Sequence, residues 1–477
     1  MARHLTILQI NDSHAYLRPH VELFREQGRE VYRQAGGYAR IATLFKQIRA
    51  ERQIIALDNG DTFHGTYPAV ESHGAALIPI LNELEFDAMT GHWEFAYGPE
   101  RVRELAGQLD YPLLAVNCYR EGTRERVFPP YRMVERNGLR IAIIGVAATI
   151  VDKTMPASFS SGISFTLGRD ELPLIIERAR NEERADLVIV LSHLGLPQEL
   201  QLAADVDDID VLVSGHTHNR LHRPAMVNGT LLMQSGSHGS FVGRLDLLVD
   251  DGVQGYEHAL IEIDASIEPD DRVAELVDEA VEPHRDLLDE VVGRTATPLT
   301  RNRVMETTMD NLLLQAMQEA SQAEVAFSNG WRYGAPVPPG NVTMNDLWNI
   351  VPTNPPVSTC ELSGVELRHM LEEDLELTFS RNPYEQMGGY VKRCLGLTAY
   401  IKVENPAGHR IEELFVGGRR IENDDTYTAC YITVQGVPDQ YGSNRQDLKI
   451  DAIEALRRYL AEHEPARADL RGTMMPI

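Results

Sequence analysis

Residues 211–218 read Val211-Leu212-Val213-Ser214-Gly215-His216-Thr217-His218, a short aliphatic run that ends in a glycine and two imidazoles one residue apart. Such a run is a strand candidate, and the glycine lets the backbone turn tightly so that the side chains after it reach inward. The same grammar recurs upstream. Aliphatic runs at 5–10, 54–57, 113–116, 141–146 and 187–191 are each followed directly by a loop. Those loops carry Asp12 and His14, then Asp61, Asn117 and His193; only Ala147 and Ala148, after 141–146, are chemically silent. Segments with helical spacing separate the runs, so the first half predicts α/β layering. Loops that follow strands in such a sheet gather at its carboxyl edge, where ligands bind.

Asp12-Ser13-His14 alone is an ordinary polar turn after a strand. Its weight comes from repetition. Gly60-Asp61-Thr62-Phe63-His64-Gly65 follows the next run, Gly91-His92-Trp93-Glu94 follows Ala88-Met89-Thr90, and Ser192-His193 ends another strand before Gly215-His216-Thr217-His218 ends the last. Imidazoles and carboxylates in this number suit two divalent ions such as Mn²⁺, Zn²⁺ or Fe²⁺, with one carboxylate able to bridge them.

The rest of the chain bounds the alternatives. At 477 residues with 43% hydrophobic content, it can bury a large core and is long enough for two or three domains. Lys+Arg 45 against Asp+Glu 71 gives a net charge of −26, a field that repels nucleic-acid backbones and anionic membranes. Cys118, Cys360, Cys394 and Cys430 form no paired motif and read as buried reduced thiols. The apolar run at 141–151 is shorter than the roughly 20 residues a bilayer requires and reads as a buried strand and its turn. No basic, apolar and small-residue leader opens the sequence, so a cytoplasmic location is expected. Charged residues between Glu268 and Glu282 predict a linker helix interrupted near Pro283, giving domains at 1–267 and 295–477 joined by 268–294. Beyond it, helices are expected near 306–322, 363–377 and 447–462, strands near 397–403 and 426–434, and a loosely ordered tail over 464–477.

The ordered set Asn11-Asp12-Ser13-His14, Gly60-Asp61, Thr90-Gly91-His92, Ser192-His193 and Gly215-His216-Thr217-His218 resembles the calcineurin-type metallophosphoesterases, in particular the 5'-nucleotidase and UDP-sugar hydrolase family. Gln234 to Gly239 with Gly243 to Asp246 resembles the stretch closing that family's catalytic domain, and Arg301 to Asn311 the entry into its C-terminal domain. The resemblance implies a four-layer β-sandwich flanked by helices, followed by an α/β 5'-nucleotidase-type domain. It also implies that Asp12, His14 and His218 hold one ion, His193 and His216 the other, and that Asp61 bridges them.

One motif departs from the family. Where nucleotidases carry Gly-Asn-His-Glu-Phe-Asp, this chain has Gly91-His92-Trp93-Glu94-Phe95-Ala96. His92 stands at the metal-binding asparagine, Trp93 at the histidine that assists the leaving group, and Ala96 at that histidine's aspartate partner. His92 can ligate through a ring nitrogen, while His64 and His238 are candidates to replace the missing acid or to orient a ligand. The variant resembles the thiosulfohydrolase branch of sulfur oxidation, as do Asn382-Pro383-Tyr384-Glu385-Gln386-Met387-Gly388-Gly389-Tyr390 and Gly330-Trp331-Arg332-Tyr333-Gly334. On the substrate side, Arg332 matches the arginine with which nucleotidases grip phosphate. Tyr390 and Tyr441 are candidates for base stacking, and Asn311 and Arg393 for further contacts.

The resulting expectation is a metal-dependent hydrolase that attacks a nucleotide or related phosphate ester by metal-bound hydroxide, with His92, His64 and Arg332 as catalytic candidates. Two divalent ions, Mn²⁺ or Zn²⁺ first and Fe²⁺ or Co²⁺ after them, are its expected cofactors. Its partner is a small molecule, with no nucleic acid or membrane. The alternatives are hydrolysis of an S-sulfonate, for which a carrier protein is the partner, and metal and nucleotide binding without turnover.

Overall fold

The computed structural model describes residues 2–388 and 390–477, so Gly389 of the segment quoted above lies outside the described residues. The chain divides into two compact units, one comprising residues 1–22 and 33–283 and the other 23–32 and 284–477.

The first unit is a sandwich of two sheets. Its strands are β1 (Arg3–Ile10), β2 (Ile54–Asp58), β3 (Ala88–Met89), β4 (Tyr131–Arg136), β5 (Leu139–Val146), β6 (Leu187–Ser192), β7 (Val211–Val213), β8 (Ala225–Val227), β9 (Thr230–Met233), β10 (Phe241–Val249) and β11 (Val253–Glu262). One sheet runs β11-β10-β1-β2-β3 and the other β8-β9-β7-β6-β5-β4. The strands that lead to the candidate ligands pair in parallel, with Ile7 opposite Ile55 in the first sheet and Ile189 opposite Val211 in the second. Parallel pairing points their carboxyl ends the same way, which brings the loops together.

Side-chain alternation explains the layers. Leu5, Ile7, Ile55 and Leu57 of one sheet share a buried cluster with Ile141, Ile143, Ile189 and Val211 of the other. The opposite face of the second sheet, Ala142, Ile144, Val188 and Val190, packs against Leu172, Ile175, Ile176 and Leu202. Those last residues lie on the helices Leu172–Asn181 and Leu196–Asp205. Strands covered on both faces read as near-continuous apolar runs, which is what made them visible in the sequence.

The stretch 113–116 is not a regular strand. Leu114 N donates to Met89 O and Val116 N to Gly145 O, both at 2.8 Å, so the segment takes single bonds from two different sheets and builds no ladder of its own. The charged stretch forms the helix Asp271–Val281, capped by the Asp270 side chain and burying Val273, Leu276 and Val277.

In the second unit a five-stranded and a four-stranded sheet share one core with the helix Gly364–Phe379, which contributes Leu367, Met370, Leu371 and Leu375. Two expectations fail here. Residues 443–451 form a strand, and the helix begins only at Ala452, because this segment pairs antiparallel with the strand Pro356–Ser363. The tail ends in the strand Met474–Pro476, tied parallel to Leu397–Ile401. All four cysteines are buried free thiols. Among the described residues no helix is long and apolar enough to cross a membrane.

Candidate metal centre

The loops after β1, β2, β3, β6 and β7 converge. Asp12, His14, Asp61 and His218 place ligand-type atoms within 4.8 Å of one another, and Asp61, His92, His193 and His216 form a second such group. Asp61 belongs to both. Its Oδ2 lies 3.1 Å from His92 Nδ1, 3.2 Å from His193 Nε2 and 3.7 Å from His14 Nε2. The structure thus brings together the same two sets that the resemblance implies, with His92 beside His193 and His216.

This convergence requires unusual backbone. Asp12, His14, Asp61, His216 and His218 all have φ between 48° and 69°, in the left-handed region that non-glycine residues seldom enter. Such strain persists only where surrounding structure over-determines it, and it concentrates at functional sites. Glycines make the room: a Cβ on Gly215 would stand 2.9 Å from His193 Nδ1, and one on Gly60 2.6 Å from Thr90 O.

Several ligand candidates are fixed from behind. His193 Nδ1 donates to Asn59 O at 2.6 Å, and His14 Nδ1 to His64 O at 3.2 Å, so in both rings Nε2 is the nitrogen turned toward the cluster. Trp93 N donates to Asp61 Oδ1 at 2.7 Å. Glu94 accepts from the backbone N–H groups of His92 (2.6 Å), Thr62 (2.7 Å) and Asp61 (3.3 Å), locking two ligand loops to one carboxylate. Asn59 Nδ2 donates to Ser192 O and Val213 O at 2.9 and 2.7 Å, stapling the end of β2 to the ends of β6 and β7. Glu94 and Asn59 were given no role in the sequence reading. Their positions inside Gly91-His92-Trp93-Glu94 and Asn59-Gly60-Asp61 were the available signal.

The electrostatics call for cations. His193 Nε2 is buried without a hydrogen-bond partner, 3.2 Å from Asp61 Oδ2 and 3.5 Å from Asp12 Oδ1, and His92 Nε2 is likewise buried and unpartnered. His14 Nε2 faces His218 Nε2 at 3.2 Å, and His218 Nε2 lies 3.2 Å from Asp12 Oδ1. Burial alone would lower the His193 pKa, yet Asp61 and Asp12 raise it to about 10. Burial raises Asp61, but His92 and His193 overcome this and hold its carboxyl well below the usual range. Burial keeps His14 well below the ordinary imidazole value. Acids, closely set imidazoles and orphaned ring nitrogens are the donor set that a pair of divalent ions satisfies.

The remaining candidates divide. His64 is buried, stacks on Trp93 with ring centroids 4.7 Å apart, and is lowered by burial to about 4. In the second unit Arg332 lies over the Tyr390 ring at 5.2 Å, with Arg393 also over it at 5.4 Å. Three further substrate candidates have interior surroundings. Asn311 is buried and its amide is spent on Glu306 Oε1 and Asp469 O. Arg393 is 2% exposed and bonded to Val304 O and Arg303 O beside Asp310, so it holds the interior together. Tyr441 belongs to the apolar core and is 8% exposed.

A two-sheet sandwich whose strand ends carry two imidazole–carboxylate groups sharing one aspartate fits a metal-dependent hydrolase with a dinuclear centre. Residues 5–220 match the calcineurin-like phosphoesterase family, and residues 291–434 match the 5'-nucleotidase C-terminal domain. The chain belongs to the 5'-nucleotidase family of calcineurin-like metallophosphoesterases, a family of metal-dependent hydrolases. It is 25% identical to the trifunctional nucleotide phosphoesterase protein YfkN of Bacillus subtilis, over 89% of this chain and 31% of that protein's length. It is 23% identical to a 5'-nucleotidase of Vibrio vulnificus, over 89% of this chain and 83% of that one. Among solved structures it is similar to the sulfate thiohydrolase SoxB of Thermus thermophilus (TM-score 0.92, 25% identity, 99% of this chain and 96% of that one). It shares its fold with a 5'-nucleotidase precursor from the same organism (TM-score 0.86, 23% identity, 99% of each chain).

Proposed function

We propose that this chain hydrolyses a small phosphate ester, a nucleotide or related phosphometabolite, with Mn²⁺ or Zn²⁺ as its ions. The observation that carries the reading is Asp61, placed within reach of both imidazole groups. Bound there, two ions supply the Lewis acidity that lowers the pKa of a water and neutralises the oxygens of an in-line displacement. The chain's own residues do the positioning: Glu94 and the Trp93 N–H orient Asp61, and backbone carbonyls hold His193 and His14 with Nε2 inward. Arg332, stacked on Tyr390, is the guanidinium proposed to grip the anionic group.

Neither Trp93 nor Ala96 has a side chain acidic enough to protonate a leaving group. The reading therefore favours esters whose leaving group departs unaided. The same feature, with the likeness to SoxB, supports a second reading: an S-sulfonate, whose departing thiolate has a conjugate-acid pKa of about 8.5 and needs no acid. A cysteine on a carrier protein is the natural partner on that reading.

The test measures metal content together with phosphate release from a nucleotide panel and sulfate release from an S-sulfonated cysteine peptide, in wild type and Asp61→Asn. We expect two ions per chain and phosphate release in wild type, and a loss of at least 100-fold in the variant. Sulfate release alone establishes the second reading, and equal activity in both proteins ends the first. Nucleotide binding without turnover across Mn²⁺, Zn²⁺, Co²⁺ and Fe²⁺ identifies a binding protein.

A further inference from the structure

Beside the Asp12, His14 and His218 group lies another set of titratable side chains, His20, Glu22 and His238, with ligand-type atoms within 4.8 Å of one another. Its hydrogen bonds mark it as a closed network and not as a third ion site. Glu22 Oε2 accepts from His238 Nδ1 at 3.2 Å and from Ser240 Oγ at 3.0 Å, while Glu22 Oε1 accepts from Arg220 Nη2 at 2.9 Å. His20 Nε2 stands 3.1 Å from Ser240 Oγ, and His20 Nδ1 donates to Arg18 O at 3.3 Å. Arg220 already balances the carboxylate charge, so a further cation would have to displace it.

What the network holds is His238. This residue has φ 60°, strained for an imidazole side chain, and its N–H donates to Asp12 O at 2.8 Å. Its ring lies 6.2 Å from that of His14 and 6.1 Å from that of His218, with Tyr16 at 4.6 Å on another side. One residue thus meets three ligands of a single ion group: Asp12 through the backbone, His14 and His218 through the ring. The other group is braced differently, with His92 packed on His193 and His216 at 5.1 and 4.8 Å and His193 tied to Asn59.

We infer that Glu22 is a positioning residue chiefly for one half of the centre: through His238 it keeps Asp12, His14 and His218 in place for their ion, while the His92, His193 and His216 half, which meets Asp12 through the His216 N–H at 2.9 Å but has its own brace in Asn59, depends on it less. The inference rests on the two-ion reading of the site and makes no assumption about substrate. Partners behind metal ligands are typically worth 10- to 100-fold in affinity.

The experiment titrates the full-length, metal-stripped chain with Mn²⁺ by calorimetry, measures bound metal after gel filtration, and melts the metal-free proteins as a check on folding. Wild type should bind two ions. Glu22→Gln should keep one binding step and weaken the other by 10- to 100-fold, with the metal-free melting temperature unchanged and the affinity largely rescued in Glu22→Asp. His238→Asn, which tolerates the left-handed backbone, should behave like Glu22→Gln and serves if that variant does not fold. Two ions at wild-type affinity in both variants, equal weakening of both steps, or failure of both variants to fold without metal would each overturn the inference. A wild type that binds fewer than two ions overturns the two-ion reading and this inference with it.

Discussion

Trp93 stands where the family carries its leaving-group histidine, and its ring is occupied by His64 on one side and by Phe159 at 5.9 Å. Ala96 removes the aspartate that would orient such a histidine, so the pair has changed together and leaves no buried acid without a partner. Restoring both in Trp93→His with Ala96→Asp should raise turnover of nucleoside monophosphates on the order of 100-fold, the usual worth of a positioned acid. Turnover of an S-sulfonate should be unchanged, because its leaving group needs no proton. Steady-state kinetics on the two substrate classes checks this, and an equal effect on both would show that Trp93 acts by shape alone.

The elements matter through their ends. β5 and β6 are buried on both faces, and Gly145 of β5 lets Leu114 lie directly against the strand; a Cβ there would land on the Leu114 carbonyl. Gly145→Ala is therefore expected to cost about 1–3 kcal/mol of stability through forced displacement of packed backbone. Urea unfolding of the metal-free protein measures it, and a cost near zero would mean that 113–116 is free to move. Gln9 contributes in the same way, donating to Asn59 Oδ1 at 2.8 Å and to Ser214 O at 2.6 Å, so that β1, β2 and the loop after β7 share one polar staple.

Taken as one molecule, the protein concentrates buried acids in the unit that holds the clusters. Burial raises Asp58 and Glu199 to about 7 each, above their ordinary values of 3.8 and 4.5. A carboxyl whose pKa is higher folded than unfolded favours the native state while it is protonated. That contribution is present below the unfolded pKa and is lost as pH rises toward about 7. His193, raised to about 10, favours the native state at neutral pH and loses that contribution only as pH climbs through the folded value. His14 and His64, lowered by burial, act in the opposite sense below about pH 6.5, so the carboxyl contribution is read by difference. The melting temperature of metal-free Glu199→Gln relative to wild type should rise between about pH 4.5 and 7, and a difference that is constant across that range would exclude Glu199 as a contributor.

The ligand series was legible in the chain because each metal-binding side chain follows a strand that is apolar on both faces, and such strands announce themselves without periodicity. The α/β class and the identity of Asp12, His14, Asp61, His193, His216 and His218 as one set were therefore determined locally. Which of them face which ion was not: that depends on left-handed backbone at these residues, on parallel pairing that aligns neighbouring loops within each sheet, and on the packing of the two sheets, which brings Asp61 to His193. On the substrate side, Asn311, Arg393 and Tyr441 look identical in sequence whether they meet a ligand or an interior partner. Only tertiary packing assigned them inward, just as it gave Glu22, unremarkable in a surface-like strand, the imidazole of His238 from 216 residues away. Contacts across such separations leave no periodic trace, because they are made by the closing of the fold and not by the geometry of any one element.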